Sequence, residues 1–193
     1  IKIDDGTIAG NLFCQDITVS EPMIRFNLVG EKLPVNNSVT TFASEYLDGT
    51  IDCSVEGDFS LQYGQLWPMS ISADGDIKVC NGIVHATDLL SEVGQYLGNR
   101  TDLLEIKFNN FSHHMTINRG NYSVGELRLD GPDTDWTGSG TISLLGKINF
   151  ILEAKLPAGY TPNLGGMEFM ADILRDDDGR IAIPLKIQGQ LPN

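Results

Sequence analysis

The sequence predicts a mainly β protein: one long curved antiparallel sheet, open as a groove or folded sandwich-like on itself, with two or three short α-helices. Three observations carry this. Apolar and polar residues alternate with period two over several long stretches, which puts them on opposite faces of a strand. Asp-Gly pairs recur at 5–6, 48–49, 74–75, 130–131 and 178–179, and such pairs tolerate the positive φ of tight turns. Most gaps between strands are too short for the dozen-residue crossover that parallel pairing needs.

The elements follow in chain order. Weaker strands are expected near 7–19 and 23–30, and a short helix at 39–46. Residues 50–61 alternate clearly, with Ile51, Cys53, Val55, Phe59 and Leu61 on one face and Asp52, Ser54, Glu56, Asp58 and Ser60 on the other. Further strands are expected at 69–73 and 76–85. The rhythm then breaks at 87–98, where Leu89, Leu90, Val93 and Leu97 share a helical face. Thr87 or Asp88 can cap its start and Gly98 its end. Strands return near 105–117, 121–129 and 137–145. Residues 147–156 put Ile148, Phe150, Leu152, Ala154 and Leu156 on one side. A last helix fits 165–174, after a loop at 157–162. Residues 181–191 close the pattern with Ile181, Ile183, Leu185, Ile187 and Leu191 in phase.

Length and composition set the bounds. The chain has 193 residues, of which 41% are hydrophobic, and 26 acidic residues face 13 basic ones, a net charge of −13. This is an ordinary globular mix in one domain, long enough for a core without disulfides or metals. The charge repels nucleic acid, which needs a basic surface. No apolar run approaches a membrane span. The opening Ile1-Lys2-Ile3 is neither an initiator nor a signal sequence, so a longer protein carrying any anchor is expected.

Catalytic and metal chemistry find little footing. Cys14, Cys53 and Cys80 fit no zinc ribbon or redox pair and read as small strand residues. No Gly-x-Ser-x-Gly elbow is present. His113 and His114 point to opposite faces of one strand, His113 alongside Phe111, Met115 and Ile117. Asp176-Asp177-Asp178-Gly179 resembles a calcium loop, but Leu174 and Leu185 occupy the positions that an EF-hand gives to its first ligand and its Glu. It reads as a solvated hairpin tip. Gly138-Ser139-Gly140 lacks the remainder of a phosphate loop. Trp67 and Trp136 stand beside turns as rim residues or sugar platforms. Paired carboxylates of a glycoside hydrolase stay open among so many acids. No catalytic residue, cofactor or metal is expected. The apolar sheet face must be covered by folding back or by an apolar guest.

From Tyr46 onward the sequence resembles the C-terminal region of the AsmA family. The matching pieces come in the family's order: Leu47-Asp48-Gly49 leading into a strand with Gly57; Ala73-Asp74-Gly75-Asp76-Ile77 through Asn81-Gly82-Ile83; the amphipathic 87–98; and Leu104, Ile106, Phe108, Asn110, Ser112, Ile117 and Gly120. The run from Leu127 to Pro157 follows, with Gly138, Ser139, Gly140, Gly146 and Phe150, and then Ile183-Pro184-Leu185 through Gly189 and Pro192. Arg119 departs from the family's bare Asn-Gly turn.

The resemblance implies a single AsmA-like β domain over 1–193, with leading strands in 1–45 and the AsmA-like region in 46–193. It implies a non-enzymatic periplasmic domain of a protein anchored in the inner membrane of a Gram-negative bacterium. The implied role is phospholipid transport between membranes or outer-membrane biogenesis, with phospholipid or another acyl-chain ligand and other envelope proteins as partners. The expected groove lining is Ile148, Phe150, Leu152, Ile183, Leu185 and Ile187. The rival reading is a cell-envelope carbohydrate-binding or adhesin-like β-sandwich module.

Overall fold

A computed structural model describes residues 2–3, 5–35, 47–85, 91, 94–95, 105–160, 173 and 175–190. They form one open antiparallel sheet of eleven strands. The strands are β1 (Lys2–Ile3), β2 (Gly6–Cys14), β3 (Met23–Pro34), β4 (Leu47–Gln62), β5 (Gln65–Leu66), β6 (Ser72–Val84), β7 (Ile106–Asn118), β8 (Asn121–Asp130), β9 (Asp135–Ser143), β10 (Lys147–Lys155) and β11 (Ala182–Gln190). Neighbours in sequence are neighbours in the sheet, except that the short β5 folds back on β4 and lets β6 take the next place. Because neighbours pair locally, β1–β3 continue the same sheet as the strands that follow.

The strong alternating segments become β4, β10 and β11, with ends within a few residues of those read from sequence. Three expectations are corrected. The strands expected at 69–73 and 76–85 give way to one strand, β6, which starts at Ser72 after the Pro68–Ser70 turn and runs straight through Asp74-Gly75. Gly75 is paired on both sides, with Val55 of β4 and Met115 of β7, so ladder bonds on two flanks override the local turn preference. Asp48-Gly49 likewise lies within β4, where the register to β6 shifts and Gly49 takes φ 133°, a bulge rather than a turn. The first expected strand stops at Cys14 instead of residue 19. There Asp16 accepts hydrogen bonds from the backbone and hydroxyl of Thr18, a local bond that competes with the ladder. The other Asp-Gly pairs flank turns.

Among the described residues no α-helix is delimited. Helical backbone occurs only at isolated positions (Val35, Ser91, Gly94 and Gln95), and Pro68–Ser70 forms one 3-10 turn. The expected helices at 39–46, 87–98 and 165–174 fall almost wholly outside the described residues, so the fold described here is a sheet without them.

The core is one-sided. Leu33, Val35, Ile51, Val79, Ile106, Phe108, Leu129, Trp136, Ala154 and Leu156 form its buried cluster. All lie toward one end of the strands. An ionic knot fastens this end. Arg180 donates to the Asp135 carboxylate and to the carbonyls of Lys155 and Leu156. Lys155 in turn pairs with Asp176, and that hydrogen bond is the main reason the Asp176 carboxyl is held below its ordinary value.

Candidate functional site

Antiparallel register carries each strand's apolar residues onto a common face, because directly opposed residues point the same way. Four cross-strand rows result. Nearest the core cluster runs Leu33–Ile51–Val79–Phe111–Leu129–Trp136–Ala154–Ile183. Next comes Ile8–Gly30–Cys53–Ile77–His113, which resumes beyond a bulge in β8 as Leu127–Gly138–Leu152–Leu185. The third is Gly10–Leu28–Val55–Gly75–Met115–Val124–Gly140–Phe150–Ile187. The fourth is Leu12–Phe26–Gly57–Ala73–Ile117–Tyr122–Ile142–Ile148–Gly189. The opposite face carries Asp52, Glu56, Asp58, Asp74, Asp76, Lys78, Arg128 and Glu153.

All six residues expected to line the groove stand on this apolar face, in neighbouring strands and in register. Phe150 opposes Ile187, Leu152 opposes Leu185, and Ile148 and Ile183 lie one row to either side. The structure divides them. Leu152, Ile183 and Leu185 pack against the core cluster. Ile148, Phe150 and Ile187 lie at the far end, half-buried. Phe150 is seated over Gly140, where a Cβ would overlap its ring. The glycine thus makes room for a large side chain on the shared face, as sheet glycines do where another group approaches closely.

Reading the sequence alone missed the matching surface of β3 and β7–β9: Phe26, Leu28, Met115, Val124, Tyr122 and Ile142. Their alternation was visible, but only register shows that they share rows with Phe150 and Ile187.

One polar ring interrupts the apolar field. His113 is 9% exposed, flanked by Phe111 with ring centroids 5.4 Å apart. Its Nε2 shares a 2.7 Å hydrogen bond with the Tyr122 hydroxyl, and burial holds the imidazole below its ordinary pKa. Burial also raises the Tyr122 phenol. A neutral pair suits an apolar surrounding. On the opposite face, His114 lies between two carboxylates, Nδ1 3.0 Å from Asp76 and Nε2 3.1 Å from Asp74. The Asp76 hydrogen bond is the main cause raising its pKa. The two histidines thus lie on opposite faces, as strand geometry requires.

The remaining candidates find structural places. Trp136 is buried and its Nε1 donates to Thr134 Oγ1 at 3.1 Å, so it is a core residue and no sugar platform. Trp67 is 43% exposed at the start of the 3-10 turn. Asp176 Oδ1 accepts from the backbone N–H groups of Asp178 and Arg180, the bonds of a hairpin tip. The three cysteines are free and half-buried. Among the described residues no cluster of His, Cys, Asp and Glu has the geometry of a metal site, and no helix is long and apolar enough to cross a membrane.

Comparison with known proteins finds no family model, no curated protein and no solved structure that matches the chain.

Proposed function

We propose that this chain is a non-enzymatic periplasmic domain of an AsmA-like protein, which holds the acyl chains of phospholipid on its apolar sheet face and serves lipid transport between membranes or outer-membrane biogenesis. The observation that supports it is the set of apolar rows that crosses nine consecutive strands of the sheet path, β2 to β11, with His113 as a polar interruption. Such a face needs a cover, and hydrocarbon is suited to it: burial yields about 0.8 kcal/mol per CH₂. Side chains at the open end (Ile148, Phe150 and Ile187) meet the acyl chain, while those at the fastened end hold the fold. The polar opposite face stays in water. An inner-membrane anchor and the meeting with other envelope proteins belong to the same reading.

The test is mass spectrometry of the organic extract of the purified protein against a mock purification. Stoichiometric phospholipid is expected. Phe150→Asp and Ile187→Asp should keep the far-ultraviolet circular dichroism of the sheet and lose the lipid. An extract without lipid, or variants that unfold, would make this face plain core.

A further inference from the structure

The two long edges of the sheet differ, and the difference lies in the direction of backbone groups. Leu156 N–H donates to the Ile181 carbonyl at 2.9 Å, so Ile181 and the odd-numbered residues of β11 bond to β10. The even-numbered ones point outward. Pro184 is among these, and its missing N–H blocks that edge at mid-strand, a recognised protection against strand pairing. Lys186 adds a charge beside it.

The β2 edge carries no such guard. Leu61 N–H donates to the Pro22 carbonyl at 3.1 Å, which directs the even-numbered residues of β3 toward β4 and the odd ones toward β2. Their partners on β2 are Thr7, Ala9, Asn11 and Phe13, so the backbone groups of Gly10, Leu12 and Cys14 point outward. Among the described residues β1 pairs only with Gly6 and Thr7. From Gly6 to Cys14 there is no charge and no proline, in a chain of net charge −13. Leu12 is 72% exposed on one face and Phe13 60% exposed on the other. Among the described residues, an edge strand this apolar, with neither charge nor proline beyond its short pairing with β1, lacks the usual protection against pairing.

We propose that the outer edge of β2 pairs with the same edge of a second copy of this chain, antiparallel, about a twofold axis at Asn11. The sequence fits itself in that register. Gly10 meets the partner's Leu12 and Ala9 meets the partner's Phe13, small against large on each face, and no like charges oppose. The outward groups of Gly10 and Leu12 fall in hydrogen-bonded pairs, as the ladder demands. Opposed side chains share a face, so the apolar faces of the two copies join into one. The pairing involves few residues and belongs to the small, weak class of interfaces, so dimerisation depends on concentration. It does not depend on what covers the apolar face.

Sedimentation velocity on the whole 193-residue chain, from micromolar to millimolar concentration, tests this. The mass should rise from 21.1 kDa toward twice that value. Leu12→Pro removes an outward N–H without touching the β2–β3 ladder and should restore the monomer with unchanged circular dichroism. Asn11→Cys in a Cys14→Ser background should oxidise to a cross-linked dimer, whereas Gln188→Cys on the guarded edge should not. A wild-type chain monomeric throughout, a dimer indifferent to Leu12→Pro, or an Asn11→Cys chain that fails to cross-link overturns the proposal.

Discussion

The two ends of the apolar face should respond differently to loss of the same few methyl groups. Leu156 has no exposed surface and belongs to the core cluster. Its N–H and carbonyl are held by Ile181 and Arg180, so the backbone around it cannot collapse freely into a cavity. Leu156→Ala should cost about 2–5 kcal/mol, the range for a fully buried leucine. For a chain of this size each kcal/mol lowers Tm by about 2–4 °C, so the expected drop is about 4–20 °C. Ile187 lies in the third row, half-buried, outside the core cluster. Less apolar surface returns to water when it is cut, and Ile187→Ala should cost only about 1–2 kcal/mol. Scanning calorimetry and urea titration of both variants, with lipid removed, measure the difference. Equal losses would refute the division into a fastened end and an open end. The apolar face would then be core throughout, with no side chains to spare for a guest.

Other outcomes follow from the geometry. Gly140→Ala should destabilise by about 1–3 kcal/mol, because its Cβ meets the Phe150 ring. Phe150→Ala in the same chain should recover part of the loss, and a double-mutant cycle by urea unfolding reads that coupling. Arg180→Ala leaves Asp135 and two carbonyls without their donor and should cost about 2–4 kcal/mol; Arg180→Lys, lacking the fork, should recover only part. The histidines should give opposite pH responses. His113 is held below its ordinary pKa by burial, so the unfolded chain binds the extra proton first and stability falls as pH drops below about 6.5. His114 is raised, so its contribution is complete below about 6.5 and fades as pH rises through its folded pKa. Thermal unfolding between neutral and mildly acid pH should therefore show a flatter acid loss in His113→Phe and a steeper one in His114→Ala.

Much of the sheet was legible because alternation is local. The apolar phase of residues 50–61, 147–156 and 181–191 fixes which side chains share a face on each strand, whatever the neighbours are. The opposition of His113 and His114 follows from the same period. Motif spacing is also local and was legible in the same way, as where Leu174 and Leu185 break the EF-hand pattern around Gly179. Turns were less so. Asp130-Gly131 and Asp178-Gly179 flank turns, but Asp74-Gly75 is held extended between Val55 and Met115. Conversely, Tyr63-Gly64 gave no strong signal and yet turns β4 into β5, both residues at positive φ.

Local order along the chain therefore sets the strands, their two-faced character and the acidic polar side. Each depends on residues one or two apart. The assembled sheet sets the register: that Phe150 faces Ile187 over Gly140, that Trp136 is core while Trp67 is not, and that one end of the face is fastened by Arg180 and the other left half-open. It also decided which edge is guarded, because the direction of a backbone N–H depends on the neighbouring strand's hydrogen bonds. Period two gives a strand its faces, but pairing energy summed over the whole sheet aligns those faces into a surface.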